Sequence, residues 1–120
     1  LFINKVHENL KNNNAIYWGI IQTNSGKIIG TICLFDFSFD LKSCEIGFEL
    51  LSAFQKQGIM KEAAQVVINY AFQTVKVKKI IAYTHQENSN STHLLLQLHF
   101  IKSVEPVKDN PNLHMYTLSQ

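Results

Sequence analysis

At 120 residues the chain has room for one hydrophobic core and not for two, so residues 1–120 read as a single domain. Apolar residues make up 46% and charged residues 17%, a balance that excludes a disordered tract or a collagen-like repeat, and no apolar run approaches the roughly 20 residues that cross a bilayer. Eleven Lys and Arg against nine Asp and Glu leave a charge of +2, too weak a field for a partner gripped mainly through phosphates; neither nucleic acid nor membrane is an expected partner.

Phe2, Ile3, Val6 and Leu10 share one helical stripe, which predicts a short amphipathic helix over residues 2–11 that Asn12, Asn13 and Asn14 would end. The β-branched and aromatic run Ala15 to Gln22, the turn residues Asn24-Ser25-Gly26 and the run Lys27 to Phe37 predict a β-hairpin. A third strand follows at Cys44 to Leu51. From Gly58 to Val75 the apolar positions fall at steps of three and four, the clearest helical pattern in the chain. Lys79 to Thr84 reads as a strand, Ser91 to Leu98 as a helix with Ser91 as N-cap, and Phe100 to Val104 and Leu113 to Leu118 as closing strands around a turn-rich Pro106 to Pro111 loop. The expected class is α/β (α+β), a mixed, mostly antiparallel sheet flanked by helices in the order αβββαβαββ.

The five histidines show no pairing at ligand spacing with Cys or Glu, so no metal is expected. Cys33 and Cys44 form no CxxC pair and sit in apolar, strand-like surroundings, which points to reduced thiols and a cytoplasmic setting. The stretch CEIGFELLSAFQKQGIMKEAAQ, Cys44 to Gln65, carries more chemistry: a strand, a short loop, then a glycine at the mouth of a long helix. First-turn amides have no intrahelical partners and sit at the positive end of the helix dipole, so a phosphate gains several N–H bonds there. Gly58 removes a side chain from that approach, Lys56 and Lys61 flank it with positive charge, and Gln57 offers amide hydrogens. A plain strand-to-helix turn would also want a small residue.

Gln55-Lys56-Gln57-Gly58-Ile59-Met60 resembles the Q/R-x-x-G-x-G/A acetyl-coenzyme A signature of the GNAT N-acetyltransferases. EIGFELLSAFQKQGIMKEA followed by ENSNSTHLLLQLHF is similar to the RimJ/RimL-like branch, where EIGY, QGKGIATEA and ENxxSxxxLEKLGF recur in that order. The resemblance runs over about residues 1 to 119. It implies that backbone groups of Phe48, Glu49 and Leu50 pair with the pantetheine arm. Amides of Lys56, Gln57, Gly58, Ile59, Met60 and Lys61 would wrap the pyrophosphate, Asn88 would contact the pantetheine or cysteamine end, and Ser91 would cap the next helix. Four positions depart from the pattern: Met60 replaces Gly or Ala, Gln57 a basic residue, His99 the glycine of LGF, and Leu95 the tyrosine that in some members protonates the leaving thiolate. The family's first strand and helix are expected before Leu1, so the chain reads as an N-terminally shortened domain that could cover the exposed sheet by pairing as a homodimer.

The function this implies is acetyl-CoA-dependent transfer of an acetyl group to a primary amine, on a protein N-terminus, a polyamine or an aminoglycoside-like molecule, by direct attack in a ternary complex. A backbone amide of the Cys44 to Leu51 strand, opened by a splay near Gly47, would hold the thioester oxygen, and neither cysteine would serve as nucleophile. Glu45 and Glu49 fall on one strand face and are the candidate bases, Glu45 preferred as the acid of EIGY; each could equally be a surface charge. Tyr83 is a candidate acid or substrate contact. The alternative function is a non-catalytic, CoA-binding or protein-interaction domain of the same fold.

Overall fold

The structure, a computed structural model, describes residues 2–9, 15–40, 42–105, 107 and 109–120. Strands β1 (Phe2–Asn9), β2 (Ala15–Ile21), β3 (Ile28–Ser38) and β4 (Ser43–Leu50) come first, followed by helix α1 (Ile59–Tyr70), β5 (Lys79–His85), α2 (Ser89–Gln97), β6 (Ile101–Lys102) and β7 (Leu113–Ser119). They form one seven-stranded sheet in the order β1-β2-β3-β4-β5-β7-β6, antiparallel throughout except between β4 and β5.

The start of the chain departs from the expected helix. Phe2–Asn9 is a strand that pairs antiparallel with β2 from Phe2↔Ile21 to Asn9↔Ala15, with a bulge between Lys5 and His7. The apolar spacing in so short a window suits a helix, but Phe, Ile and Val prefer strands and Asn and His are weak helix formers. The open edge of β2 decides between them by supplying a ladder of backbone hydrogen bonds. The element order is therefore ββββαβαββ; residues 10–14, where the helix was expected to end, lie outside those described. The β2–β3 hairpin, β4 and α1 fall where the sequence pattern puts them, and a π turn at Ala71–Val75 extends α1 to the left-handed Lys76.

Along β2 to β5 alternate side chains, among them Trp18, Ile32, Leu34, Cys44, Ile46 and Ile80, are buried in one cluster with Met60, Ala63, Ala64, Val67 and Ile68 of α1. The paired alanines let the helix approach the strands closely, and Trp18 meets Tyr70 edge to face at a centroid distance of 5.3 Å. Leu95 and Leu98 of α2 join the same cluster. Helix α2 ends in a Schellman motif: Phe100 N–H donates to Leu95 O at 2.9 Å and His99 N–H to Leu96 O at 3.0 Å, with His99 left-handed at φ 72°. The position does require positive φ, as its match to the family's LGF glycine implies. Relieving a left-handed L-residue is worth about 1 kcal/mol, so His99→Gly is expected to raise the urea midpoint without changing the slope of the transition.

Candidate active site

β4 and β5 run parallel and pair at Ser43↔Lys79, Cys44↔Ile80 and Glu45↔Ile81 only. Beyond that point β4 stays with β3 as far as Leu50 while β5 follows β7 as far as His85, so the sheet parts just before Gly47, where the splay was expected. Along Ile46–Glu49 the backbone groups not bonded to β3 face this gap, a strand edge inside the molecule with no strand beside it. The gap opens into a cleft of about 510 Å³. Its walls include Tyr17, Cys33, Gly47 and Glu49 from the open face of the sheet, and Phe48, Asn88, Ser91 and Leu95 from the helical side. A Cβ on Gly47 would lie 3.3 Å from Cys33 Sγ and 3.4 Å from Phe35 Cε1, so a glycine keeps this wall flat.

A 3-10 turn at Ser52–Phe54 links β4 to the mouth of α1. Lys56 and Gly58 are both left-handed, at φ 63° and 79°, and turn the backbone back on itself before the helix. No side chain caps α1. The amides of Ile59, Met60 and Lys61 precede the first bond into the helix, Glu62 N–H to Gly58 O at 3.1 Å, and a Cβ on Gly58 would meet nothing within 4 Å. Open space in front of free amides suits an anion. Met60 buries its side chain in the core and so leaves its amide to the turn, while Lys56 and Lys61 are exposed.

Two contacts were not foreseen. Gln55 Nε2 donates to Leu50 O at 2.9 Å and Gln55 Oε1 accepts from Asn90 Nδ2 at 3.2 Å, which ties the end of β4, the loop and α2 together. The second is between Asp36 and Glu45, whose carboxyls hydrogen-bond. Gln57, expected to offer amide hydrogens to a phosphate, donates one of its two to Ala53 O at 3.1 Å. The cap of α2 is also reassigned: Asn88 Oδ1 accepts from Ser91 N–H at 3.1 Å, so Asn88 is the N-cap and Ser91 supplies the amide. Asn88 holds the non-helical position just before Ser89, from which its side chain reaches the third amide, while Ser91 lies inside the helix.

Register places Glu45, Gly47 and Glu49 opposite Phe35, Cys33 and Thr31, which puts both carboxylates on the open face. Glu49 lines the cleft and is exposed. Glu45 lies two residues before Gly47, half-buried, and burial pushes its carboxyl up to about 7 with help from the hydrogen bond and charge of Asp36. Tyr83, 43% exposed, stands on the β5 side of the cleft. Leu95 is buried in the wall. Burial raises both thiols, Cys44 to about 12, and keeps them protonated at neutral pH, which makes neither a ready nucleophile.

A mixed sheet that parts beside an uncapped helix defines the class implied by the three ordered motifs, an acyl-CoA N-acyltransferase fold. Residues 2–101 match the family model described as acetyltransferase (GNAT) domain, and the chain belongs to that family. It is 32% identical over 101 residues to the probable N-acetyltransferase YjcK of Bacillus subtilis, covering 83% of this chain and 56% of that protein. It is 30% identical over 104 residues to the ribosomal protein uS5-alanine N-acetyltransferase of Escherichia coli, covering 83% of this chain and 50% of that protein. The chain thus spans about half the length of the curated relatives it matches. The crystal structure of the ribosomal-protein-S5-alanine acetyltransferase from Vibrio fischeri superposes with a TM-score of 0.78 at 26% identity, over 88% of this chain and 61% of that one. A dodecameric spermidine N-acetyltransferase from Vibrio cholerae shares the fold with a TM-score of 0.76 at 16% identity, over 88% of this chain and 65% of that one.

Proposed function

We propose that the chain carries the acetyl-CoA site of an N-acetyltransferase that passes an acetyl group to a primary amine by direct attack in a ternary complex. One observation carries this reading: an edge of β4 with no strand beside it leads to a helix mouth with free amides and no side chain in front of it. A pantetheine arm has the amide spacing to pair with Phe48, Glu49 and Leu50 as an added strand, and its diphosphate would meet the amides from Lys56 to Lys61. Asn88 and Ser91 face the arm from the other wall.

In the transfer, the amine nitrogen attacks the thioester carbonyl, an amide near Gly47 holds the oxyanion, the C–S bond breaks and the thiolate takes a proton. Glu45 is the base, with Glu49 nearer the cleft mouth as the alternative. Tyr83 is the proton donor, because Leu95 has no proton to give. A protein N-terminus is the favoured acceptor: the relative named for the uS5 alanine is 30% identical, whereas likeness to the spermidine enzyme shows the fold alone. Two free cysteines fit a reducing, cytoplasmic setting.

Thermal unfolding tests the cradle. Acetyl-CoA at about 100 times its dissociation constant is expected to add about 2.7 kcal/mol of stability, and free pantetheine at the same concentration far less. Equal shifts would remove the diphosphate site. Thiol release from acetyl-CoA in the presence of N-terminal peptides then tests turnover; a tight complex with no release across peptides and polyamines would favour a binding domain.

A further inference from the structure

We propose that Asp36 is a positioning residue for acetyl transfer: a left-handed break in β3 swings its carboxyl onto Glu45 and sets Glu45 as the base. This rests on the reading of Glu45 as the group that deprotonates the amine.

The argument begins with strand alternation. Phe35 is in register with Glu45, so in a regular strand the side chain of the next residue, Asp36, would point to the opposite face. The register instead breaks between Phe35 and Ser38, and Asp36 sits in the break at φ 53°. Asp is among the few non-glycine residues that tolerate this conformation, and bulges of this kind re-aim side chains. Here the result is a hydrogen bond between the two carboxyls. Two carboxylates in contact cannot both be ionised cheaply, so the last proton leaves the pair only near neutral pH.

The other groups around Glu45 do not substitute for Asp36. β5 places Ile81 in register with it, with Lys79 and Tyr83 two residues to either side, and on β4 itself Cys44 is adjacent and Glu49 lies four residues on. On β3, Cys33 is two residues from its register partner. Burial and Asp36 are the causes of the Glu45 shift. Gly47, at the cleft, is about 7 Å along the strand, a span that a short chain of two waters would bridge to the amine. The ionised pair takes the proton that the ammonium loses and afterwards releases it to solvent.

Asp36→Asn and Asp36→Gly both accept positive φ and both remove the charge, so either keeps the backbone break. The first readout is the Glu45 carboxyl carbon resonance followed against pH, assigned with Glu45→Gln. Its titration is expected to fall below about 7 in both variants and to stay raised above the ordinary carboxylate range, because burial, the larger cause, remains. The second is kcat/KM against pH, expressed per neutral amine. The acid limb is expected to move down with the resonance, so that at pH 6 each variant retains about threefold or more of its own plateau relative to the parent. An unmoved resonance overturns the proposal whatever the activity. A resonance that moves while the limb stays also overturns it, and shows that Glu45 is not the base, although turnover itself would still support acetyl transfer. Absence of turnover in the parent chain would count against the proposed function, and the resonance would still decide whether the pair is coupled.

Discussion

Gly58→Val is expected to weaken acetyl-CoA binding by about tenfold or more, because it acts on both properties that make the helix mouth a cradle. Gly58 is left-handed at φ 79° with ψ 1°, a conformation that costs an L-residue about 1–2 kcal/mol and a β-branched one at the upper end. A Cβ there meets no protein atom within 4 Å, so the folded chain has space for the side chain, and that space is where a diphosphate would approach the amides of Ile59 to Lys61. Gly58→Asn separates the two effects. Asparagine tolerates the backbone and is expected to recover most of the stability, yet it still fills the approach and so should not recover binding. Urea unfolding reads the first effect and titration calorimetry with acetyl-CoA the second. Full affinity in Gly58→Asn would mean that the glycine serves the turn alone.

What could be read in the residues, and what could not, follows from the range of the forces involved. The β2–β3 hairpin and α1 were legible because each carries its own signal: turn residues at Asn24-Ser25-Gly26, and a long amphipathic period from Gly58 onward. β1 was not, because its three apolar positions, Phe2, Ile3 and Val6, did not decide the element, and the choice depends on β2, a strand elsewhere in the chain. The αL demand at His99 was visible through the motif it replaces, whereas the exchange of roles between Asn88 and Ser91 follows from a helix that starts two residues earlier, a boundary that spacing does not encode. Glu45 and Glu49 could be assigned to one face from alternation. Asp36 could not be added to them, because it reaches that face only through a break in register. Gln55 was quoted within a motif, but its bond to Asn90 joins segments 35 residues apart and exists only once α2 is docked.

Gly30→Ala is expected to have the largest effect on stability, about 1–3 kcal/mol, and to carry that effect into the cleft. Gly30 is in register with Leu50, the last residue of β4, and with Ile20 of β2, next to the bulge that Ile29 makes in β3, so it is enclosed by strands on both sides. A Cβ at this position would lie 2.6 Å from Glu49 O and 2.8 Å from Leu50 Cδ1. The second contact can be relieved by a rotamer change, but the first is to backbone and requires β3 and β4 to separate. The end of β4 that must move is the edge assigned to pantetheine, and Leu50 O is the acceptor through which Gln55 anchors the cofactor loop. Gly30→Ala should therefore lower the urea midpoint and also raise the KM for acetyl-CoA. Gly26→Ala provides the control: at φ 70° with open space around it, it costs about 1 kcal/mol of backbone strain but lies in the β2–β3 turn, away from β4. If both variants lose stability and only Gly30→Ala loses cofactor affinity, the strand edge is coupled to the cradle as the contacts require; equal affinity in the two would show that β4 and the helix mouth act independently.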